Sequence, residues 1–506
     1  MGFYLRSVNL DLGEDNDLNI VLNGKDANRI GLHEGETAMV GIGEVELYCD
    51  VIETDSKVAE GEIGLFEEIW KDYDIKPDTS VFIDLPEASA SLDAISRKLR
   101  GETLTKDDLM LIMKDIGKRK LKETEIAFFI STFFNPGFND DEIFWMTQGM
   151  ADGGDKLDFR GIRDNGNLVA DKHSIGGVAG KGITPTLIPI LAAGGLVVPN
   201  TSTRAITSPA GTADVLEVVM PVALSKERIM STVKETGASM FWGGSLDLSP
   251  ADDVIINVER SLRIQEFQKV LVSIVAKKVC MNITNILIDL PYGKGTKLED
   301  PEDAKMLDRE FRKLFSKFGI GCDVITRFVK GPDGRCVGPN LEIQECLKIL
   351  ERDDDRCESL EKITVEMASR LFENTGKVGK GVGKKYAQGI LDSGRALDKF
   401  WDIAMAQGAT KRVQAKDIKP AKLSFDVLSD RTGTINYISN RALVTIARAL
   451  GNPKIKDAGM RLYKLPGENV KKGEKLMTIY ADTQNRLENG KSLALDLDNI
   501  YKFKKN

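Results

Sequence analysis

The sequence predicts a multidomain α/β protein, and three observations carry that prediction. The chain has 506 residues, too many for one ordinary core when domains run to roughly 100–200 residues. Its hydrophobic period is 2 near the N-terminus and changes to 3.6 after residue 87. From residue 166 onward, short apolar runs alternate with Gly-containing loops and helical stretches in a βα pattern. The expected architecture is a β-rich N-terminal domain, a discontinuous helical domain, an α/β domain with a mixed sheet, and a C-terminal β-rich, sandwich-like region.

Residues 1–86 hold the β-type runs "LNIVLN", "TAMVGIG", "VELYCDVIET" and "SVFIDL", separated by Gly, Asn and Asp turns. Residues 87–165 are expected to be helical, with Thr105 as the N-cap of "KDDLMLIM". The amphipathic segment "RIQEFQKVLVSIVAKKVC" predicts that residues 257–283 complete this helical domain. The α/β domain then comprises 166–256 and 284–412, with "NLVADKHS" and "LVVPNTS" as strands around the helix "TPTLIPILAAGG". After the polar connection "GATKRVQAKDIKPAKL", residues 413–506 form a C-terminal α+β domain. That tail is like the second half of a lipoyl-type sandwich, but it lacks the lysine hairpin of a carrier, so a structural or oligomer-contact role is expected.

Composition narrows the function. A net charge of −7 argues against a nucleic-acid polymer as partner. The six cysteines are scattered without a CxxC pair, as buried thiols in a reducing cytosol would be. The longest apolar stretch contains prolines and is shorter than a membrane span. "MGFYLRSVNLDLG" has no signal-peptide core and puts Arg6 where a myristoylation motif needs Ser or Thr. A cytoplasmic protein with no membrane partner is expected.

The chemistry concentrates in two loops. "DKHSIGGVAGKG" places Lys172, one of only two histidines, Ser174 and four glycines between a strand and a helix. Glycines there let backbone N–H groups approach an anion, and the helix N-terminus adds partial positive charge. Spacing excludes a Walker A loop, and Ile175 stands at the first glycine position of GxGxxG. "TSTRAITSPAGTAD" packs hydroxyls around Arg204 and ends in Gly211-Thr212. Either loop alone could serve only to close a tight turn, but two of them after neighbouring strands would converge at the carboxyl edge of one sheet. Ser273 and Lys277 of "SIVAKK" share a helix face, a spacing that also suits a solvated edge. Lys294 and Lys297 lie on the loop "PYGKGTK". "GKVGKGVGKK" near residue 380 fails Walker spacing and is a basic loop without an assigned role.

In this order, "DKHSIGGV", "TSTRAITSPAGTADVLE", "SIVAKK" and "SGRALDKFWDIAMAQGA" resemble the pyrimidine-nucleoside phosphorylase family from about residue 89 to the C-terminus. The N-terminal domain and "RAITSPAGTAD" resemble its AMP phosphorylase branch. The resemblance implies a pentosyltransferase that converts AMP, also CMP or UMP, and phosphate into free base and ribose 1,5-bisphosphate. It implies no cofactor, phosphate as co-substrate, and a homodimer or larger homo-oligomer. Motif by motif, it assigns phosphate to Lys172, Ser174, Thr184, Ser202 and Thr212, and places His173 close to the sugar or base. It assigns the nucleotide to Gly177, Thr203, Arg204, Ala205, Ile206, Thr207, Ser208, Thr212, Ser273 and Lys297, and the base to Lys277.

One position departs from the pattern. The branch's proton-donating aspartate lies eight residues before the motif serine, where this chain has Gln265 followed by Glu266. An amide donates a hydrogen bond but delivers no proton. Three readings stay open: Glu266 replaces the acid by a register shift, pyrimidines are the favoured bases, or catalysis is impaired in a nucleotide-binding protein. A thymidine-type nucleoside phosphorylase is the alternative enzyme. A Mg²⁺-dependent phosphoribosyltransferase is disfavoured, since no acidic cluster accompanies the Gly loop.

Overall fold

The computed structural model describes residues 2–13, 18–86, 90–162, 168–205, 209–262, 264 and 266–504. The chain divides into two compact units, residues 1–154 with 249–276, and residues 155–248 with 277–506. No helix among the described residues is long and apolar enough to cross a membrane.

In the first unit, β1 (Phe3–Asn9), β2 (Asn19–Asn23), β3 (Thr37–Ile42), β4 (Val45–Thr54), β5 (Glu62–Leu65) and β6 (Ser80–Asp84) close into a barrel of order β1-β5-β2-β4-β3-β6. Closure removes the exposed strand edges that short β-runs would otherwise leave. Ile20, Leu22, Val40, Ile63, Val81 and Ile83 fill the interior. The helix Gly24–Ile30 is inserted after β2 and stops at Gly31, which takes a left-handed φ of 83° and returns its N–H to the last turn.

The rest of this unit is helical: Ala90–Leu99, Lys106–Gly117, Glu123–Phe134, Asp140–Asp152, Pro250–Leu262, and the first residues of Phe267–Cys280. Thr105 caps its helix as expected, its hydroxyl accepting from the Asp108 N–H while the Asp108 carboxylate accepts from the Thr105 N–H. Lys98 and Glu142 form a buried ion pair at 2.7 Å, with side-chain exposures of 4% and 1%. Glu142 also accepts the Leu104 and Asn139 N–H groups, so one carboxylate ties two helices and a connecting turn.

The second unit contains β7 (Ala170–Ser174), β8 (Val198–Ser202), β9 (Ala238–Trp242), β10 (Asn285–Tyr292) and β11 (Gly321–Phe328). They pair as β11-β10-β7 and β8-β9, with one bridge from Val169 to Val197 between the two groups. Every one of these pairings is parallel. The mixed sheet expected from sequence is therefore corrected: helices Ile183–Ala193, Lys226–Thr236 and Pro301–Lys317 provide crossovers between successive strands, and such connections give parallel neighbours. The carboxyl ends of β7, β8 and β10 carry the loops singled out by sequence.

Antiparallel pairing in this unit belongs to the C-terminal region. There β12 (Cys336–Val337), β13 (Leu423–Leu428), β14 (Gly433–Ile438), β15 (Gly459–Leu462), β16 (Asn469–Val470), β17 (Lys475–Ala481) and β18 (Tyr501–Phe503) form the sheets β12-β15-β17-β13 and β16-β14-β18. β12 enters from far upstream in the chain, and one apolar core runs from Leu187 and Leu216 through Leu347 to Met477 and Ile479. The tail is thereby built onto the α/β layer.

Replacing Lys98 by Met keeps the apolar stem but strands the Glu142 carboxylate in the interior. Loss of one partner of a buried pair costs about 3–5 kcal/mol, so Lys98→Met is expected to lower the stability of this unit, read from its urea midpoint, by that amount, whereas Lys71→Met, in the exposed pair with Glu67, leaves it within about 0.5 kcal/mol.

Candidate anion and nucleotide site

The first loop begins where β7 ends. Ser174 stands opposite Asp289 in the parallel register of β7 and β10, and the chain then turns through residues 175–182 into the helix Ile183–Ala193. Gly177 has φ 101°, and a Cβ there would lie 2.5 Å from the Lys297 backbone nitrogen. Gly180 has φ 60°, and its Cβ would meet the Cys336 carbonyl at 2.5 Å. Only glycine permits both the dihedral and the approach. The loop thus packs against the backbone of "PYGKGTK", bringing Gly177 and Lys297 together; the Lys297 side chain is exposed. Thr184 is buried in the first turn of the helix.

Beneath the loop lies an ionic framework. Asp171 accepts from Lys278 at 2.6 Å and from the Asn200 amide at 2.7 Å, and Lys278 also donates to the Thr201 hydroxyl at 3.0 Å. These bonds fasten β7 to β8. Asp289, fully buried in β10, pairs with Lys181 at 2.9 Å and with Arg327 at 2.8 and 3.2 Å, and accepts the Ser174 hydroxyl at 2.9 Å. Arg327 grips Asp333 through two further bonds of 2.9 and 3.0 Å. The Asp333 and Gly334 N–H groups reach the carbonyls of Ala179 and Gly180. The ion pairs therefore hold the loop from below.

Among the described residues this framework sets four cations, Lys172, Lys181, Lys278 and Arg327, against three anions, Asp171, Asp289 and Asp333, and the cation left over is Lys172. It is 5% exposed and has no ion pair among the described residues. Burial, reinforced by repulsion from Lys181, pulls its pKa down to about 7. Burial and the surrounding lysines, Lys278 foremost, hold His173 well below its usual range, so its imidazole is neutral at neutral pH. A buried cation without a counterion, on a strand that opens into a glycine loop, is chemically suited to an anion.

The second loop follows β8. Ser202 donates its hydroxyl to the Phe241 carbonyl at 3.0 Å, and the Thr203 carbonyl accepts the Ala213 N–H. Asp214 shapes the loop by accepting the Ala205 and Gly211 N–H groups at 2.8 Å each. Arg204 lies over the Trp242 ring and forks onto Glu217 at 3.0 and 2.6 Å, with Asp214 at 3.4 Å. Thr212 starts the short helix Thr212–Leu216. Ile206, Thr207 and Ser208 lie outside the described residues.

The remaining candidates lie on or beside the helix Phe267–Cys280. Ser273, in the first unit, donates to Asp252 at 2.6 Å, and Asp252 pairs with Lys269 at 3.1 Å. The Glu266 carboxylate accepts the Gln268 and Lys269 N–H groups at 2.5 and 3.1 Å, capping the helix, while burial raises its pKa. Gln265 lies outside the described residues. Lys277, in the second unit, is half-buried and contributes to the field that keeps His173 neutral.

Sequence reasoning did not single out Asp171, Lys181, Lys278, Asp289, Arg327 or Asp333. A usable signal existed for Asp289, a carboxylate interrupting the apolar run "NILIDLPY", since a charge in a buried strand requires partners. Arg327 and Asp333 carry no comparable local mark.

Comparison with known proteins agrees with this layout. Residues 92–154 match the helical bundle domain of the glycosyl transferase family, residues 166–299 its a/b domain, and residues 434–496 the pyrimidine nucleoside phosphorylase C-terminal domain. The AMP phosphorylase of Methanococcoides burtonii is 36% identical over 93% of this chain and 92% of its own. Those of Thermococcus sibiricus and Pyrococcus furiosus are each 37% identical, over 92% of both chains and over 96% and 95% respectively. Anthranilate phosphoribosyltransferase from Thermus thermophilus superposes with a TM-score of 0.52 at 17% identity, covering 63% of this chain and 100% of that one, which is a likeness of fold. With relatives of this identity spanning nearly its whole length, the chain belongs to the AMP phosphorylase family.

Proposed function

We propose that the protein is a nucleoside 5′-monophosphate phosphorylase that cleaves AMP, and also CMP and UMP, with inorganic phosphate as co-substrate, giving free base and ribose 1,5-bisphosphate. The observation that carries this is Lys172, a buried cation without a counterion beside Ser174 and the glycine loop. Phosphate is already an anionic nucleophile, so the protein's task is to seat it against C1′ and to stabilise charge as the base departs. The bond to the base breaks as the bond from phosphate oxygen forms, through a state with oxocarbenium character. Lys172 holds the phosphate, and the loop backbone, with the helix Ile183–Ala193 behind it, supplies N–H donors. His173, neutral, offers a hydrogen bond to sugar or base and is not an acid at neutral pH. Lys297, whose backbone packs on Gly177, places a cation at the rim for the 5′-phosphate.

The direct test is free-base release from AMP, CMP, UMP, thymidine and uridine, each with and without phosphate. Phosphate-dependent release from the nucleotides is expected. Release from nucleosides alone would assign the chain to the pyrimidine-nucleoside branch of activity, and release from none would leave a nucleotide-binding protein.

Lys172 gives this activity a pH signature. Its pKa is depressed to about 7, so it loses its proton as pH rises through that value, and the anion binds the protonated form. The KM for phosphate, expressed per dianion, should be flat below about pH 7 and rise above it, approaching about tenfold per pH unit. Lys172→Arg should abolish the rise, because guanidinium does not titrate there.

Lys297→Ala is expected to raise the KM for AMP by about tenfold, the worth of one partly exposed charge-assisted contact, while kcat/KM for adenosine stays within about twofold. Equal losses on both substrates would remove Lys297 from the 5′-phosphate.

A further inference from the structure

The contact between Ser174 and Asp289 fixes where the Ser174 proton goes. Its Oγ lies 2.9 Å from Asp289 Oδ2. Burial opposes ionisation of Asp289, but Lys181 and Arg327 prevail and hold the carboxyl far below the usual range. An ionised carboxylate only accepts, so Ser174 is the donor in this bond. A hydroxyl has one proton, and what Oγ keeps for a neighbour is its lone pairs. Ser174 and Lys172 are two residues apart on β7 and so share a face of the strand. An anion seated at Lys172 therefore meets a hydrogen-bond acceptor at Ser174.

We propose that the Ser174–Asp289 pair makes the site selective for a protonated oxyanion, one that donates an O–H to Ser174 Oγ while Ser174 donates to Asp289. This rests on the assignment of phosphate to Lys172. At neutral pH phosphate and arsenate both present an O–H together with negative charge; sulfate has the same shape and a double charge but no proton. Sulfate can enter only by setting lone pair against lone pair, or by turning the Ser174 hydroxyl towards itself and taking a donor away from the buried Asp289. Either way one polar group is left poorly paired, a penalty of roughly 100-fold in affinity.

The experiment compares three anions on the full-length enzyme: KM for phosphate, KM for arsenate as the nucleophile in base release, and the competitive inhibition constant of sulfate against phosphate. The wild-type protein should use arsenate with a KM close to that for phosphate and bind sulfate roughly 100-fold more weakly. Ser174→Ala removes the acceptor, and the sulfate-to-phosphate ratio should fall at least about tenfold. Asp289→Asn, whose amide can donate to Oγ and free the Ser174 proton, should move the ratio the same way if it folds. A wild-type protein that binds sulfate as well as phosphate, or a Ser174→Ala protein that weakens both anions with the ratio unchanged, overturns the proposal. Lys172→Ala separates this from the underlying assignment: it should weaken all three anions together, and an unchanged phosphate KM would remove phosphate from Lys172 itself.

Discussion

Asp289 is a carboxylate with no solvent contact in the central strand of the parallel β11-β10-β7 sheet, and the second unit is arranged around satisfying it. An unpaired charge at that depth would cost many kcal/mol. Lys181 from the glycine loop, Ser174 from the end of β7 and Arg327 from β11 all converge on it. Arg327 then needs a second carboxylate to use its remaining donors, and Asp333 supplies it while its N–H supports Ala179. The demand of one buried charge is thus relayed to the backbone of the glycine loop. Because Asp289 is occupied by these partners, it leaves Lys172 without a counterion, and the same accounting that stabilises the scaffold leaves one positive charge for a ligand.

Much of the fold was legible because periodicity reports burial. The alternating runs of residues 3–84 have one face inward in a closed barrel, and the amphipathic stretches after residue 90 pack as helices. Local chemistry was legible too, as at Thr105, where a side chain and a backbone three residues away cap one another. What periodicity does not report is pairing partner. β12 is two residues long and joins a sheet whose other members lie beyond residue 420, so a boundary drawn at a polar connection could not reveal that the tail is built onto the α/β layer. The expectation of a mixed sheet fails because helical crossovers between strands already favour parallel neighbours: direction follows from the crossover, not from the strand's own residues.

The site shows the same division. Lys172, Ser174, Gly177 and Lys297 stood out as unusual residues in short loops, and the structure brings the backbones of Gly177 and Lys297 into contact. The framework that orients them did not stand out, because its members, Asp171 with Lys278 and Asp289 with Arg327 and Asp333, are ordinary charged residues far apart in sequence. A charge declares its function only when its burial and partner are known. The carboxylate within "NILIDLPY" is the exception, since an apolar strand on both sides already implies burial.

The two loops that looked alike in sequence differ in charge. Around the second, Arg204 is matched by Asp214 and Glu217, and Glu217 also pairs with Lys456 at 2.8 Å. Arg204 foremost pulls the Glu217 carboxyl down to about 2, so at neutral pH two cations face two anions and no charge is left over. The hydroxyls, carbonyls and N–H groups of that loop can orient a neutral sugar or base by hydrogen bonding, but an anion brought there must compete with Glu217 for Arg204. Around the first loop one cation, Lys172, is in excess, and an anion would relieve it. Net charge in a buried framework, more than the count of glycines or hydroxyls, therefore distinguishes a loop suited to an anion from one suited to neutral hydrogen-bonding partners.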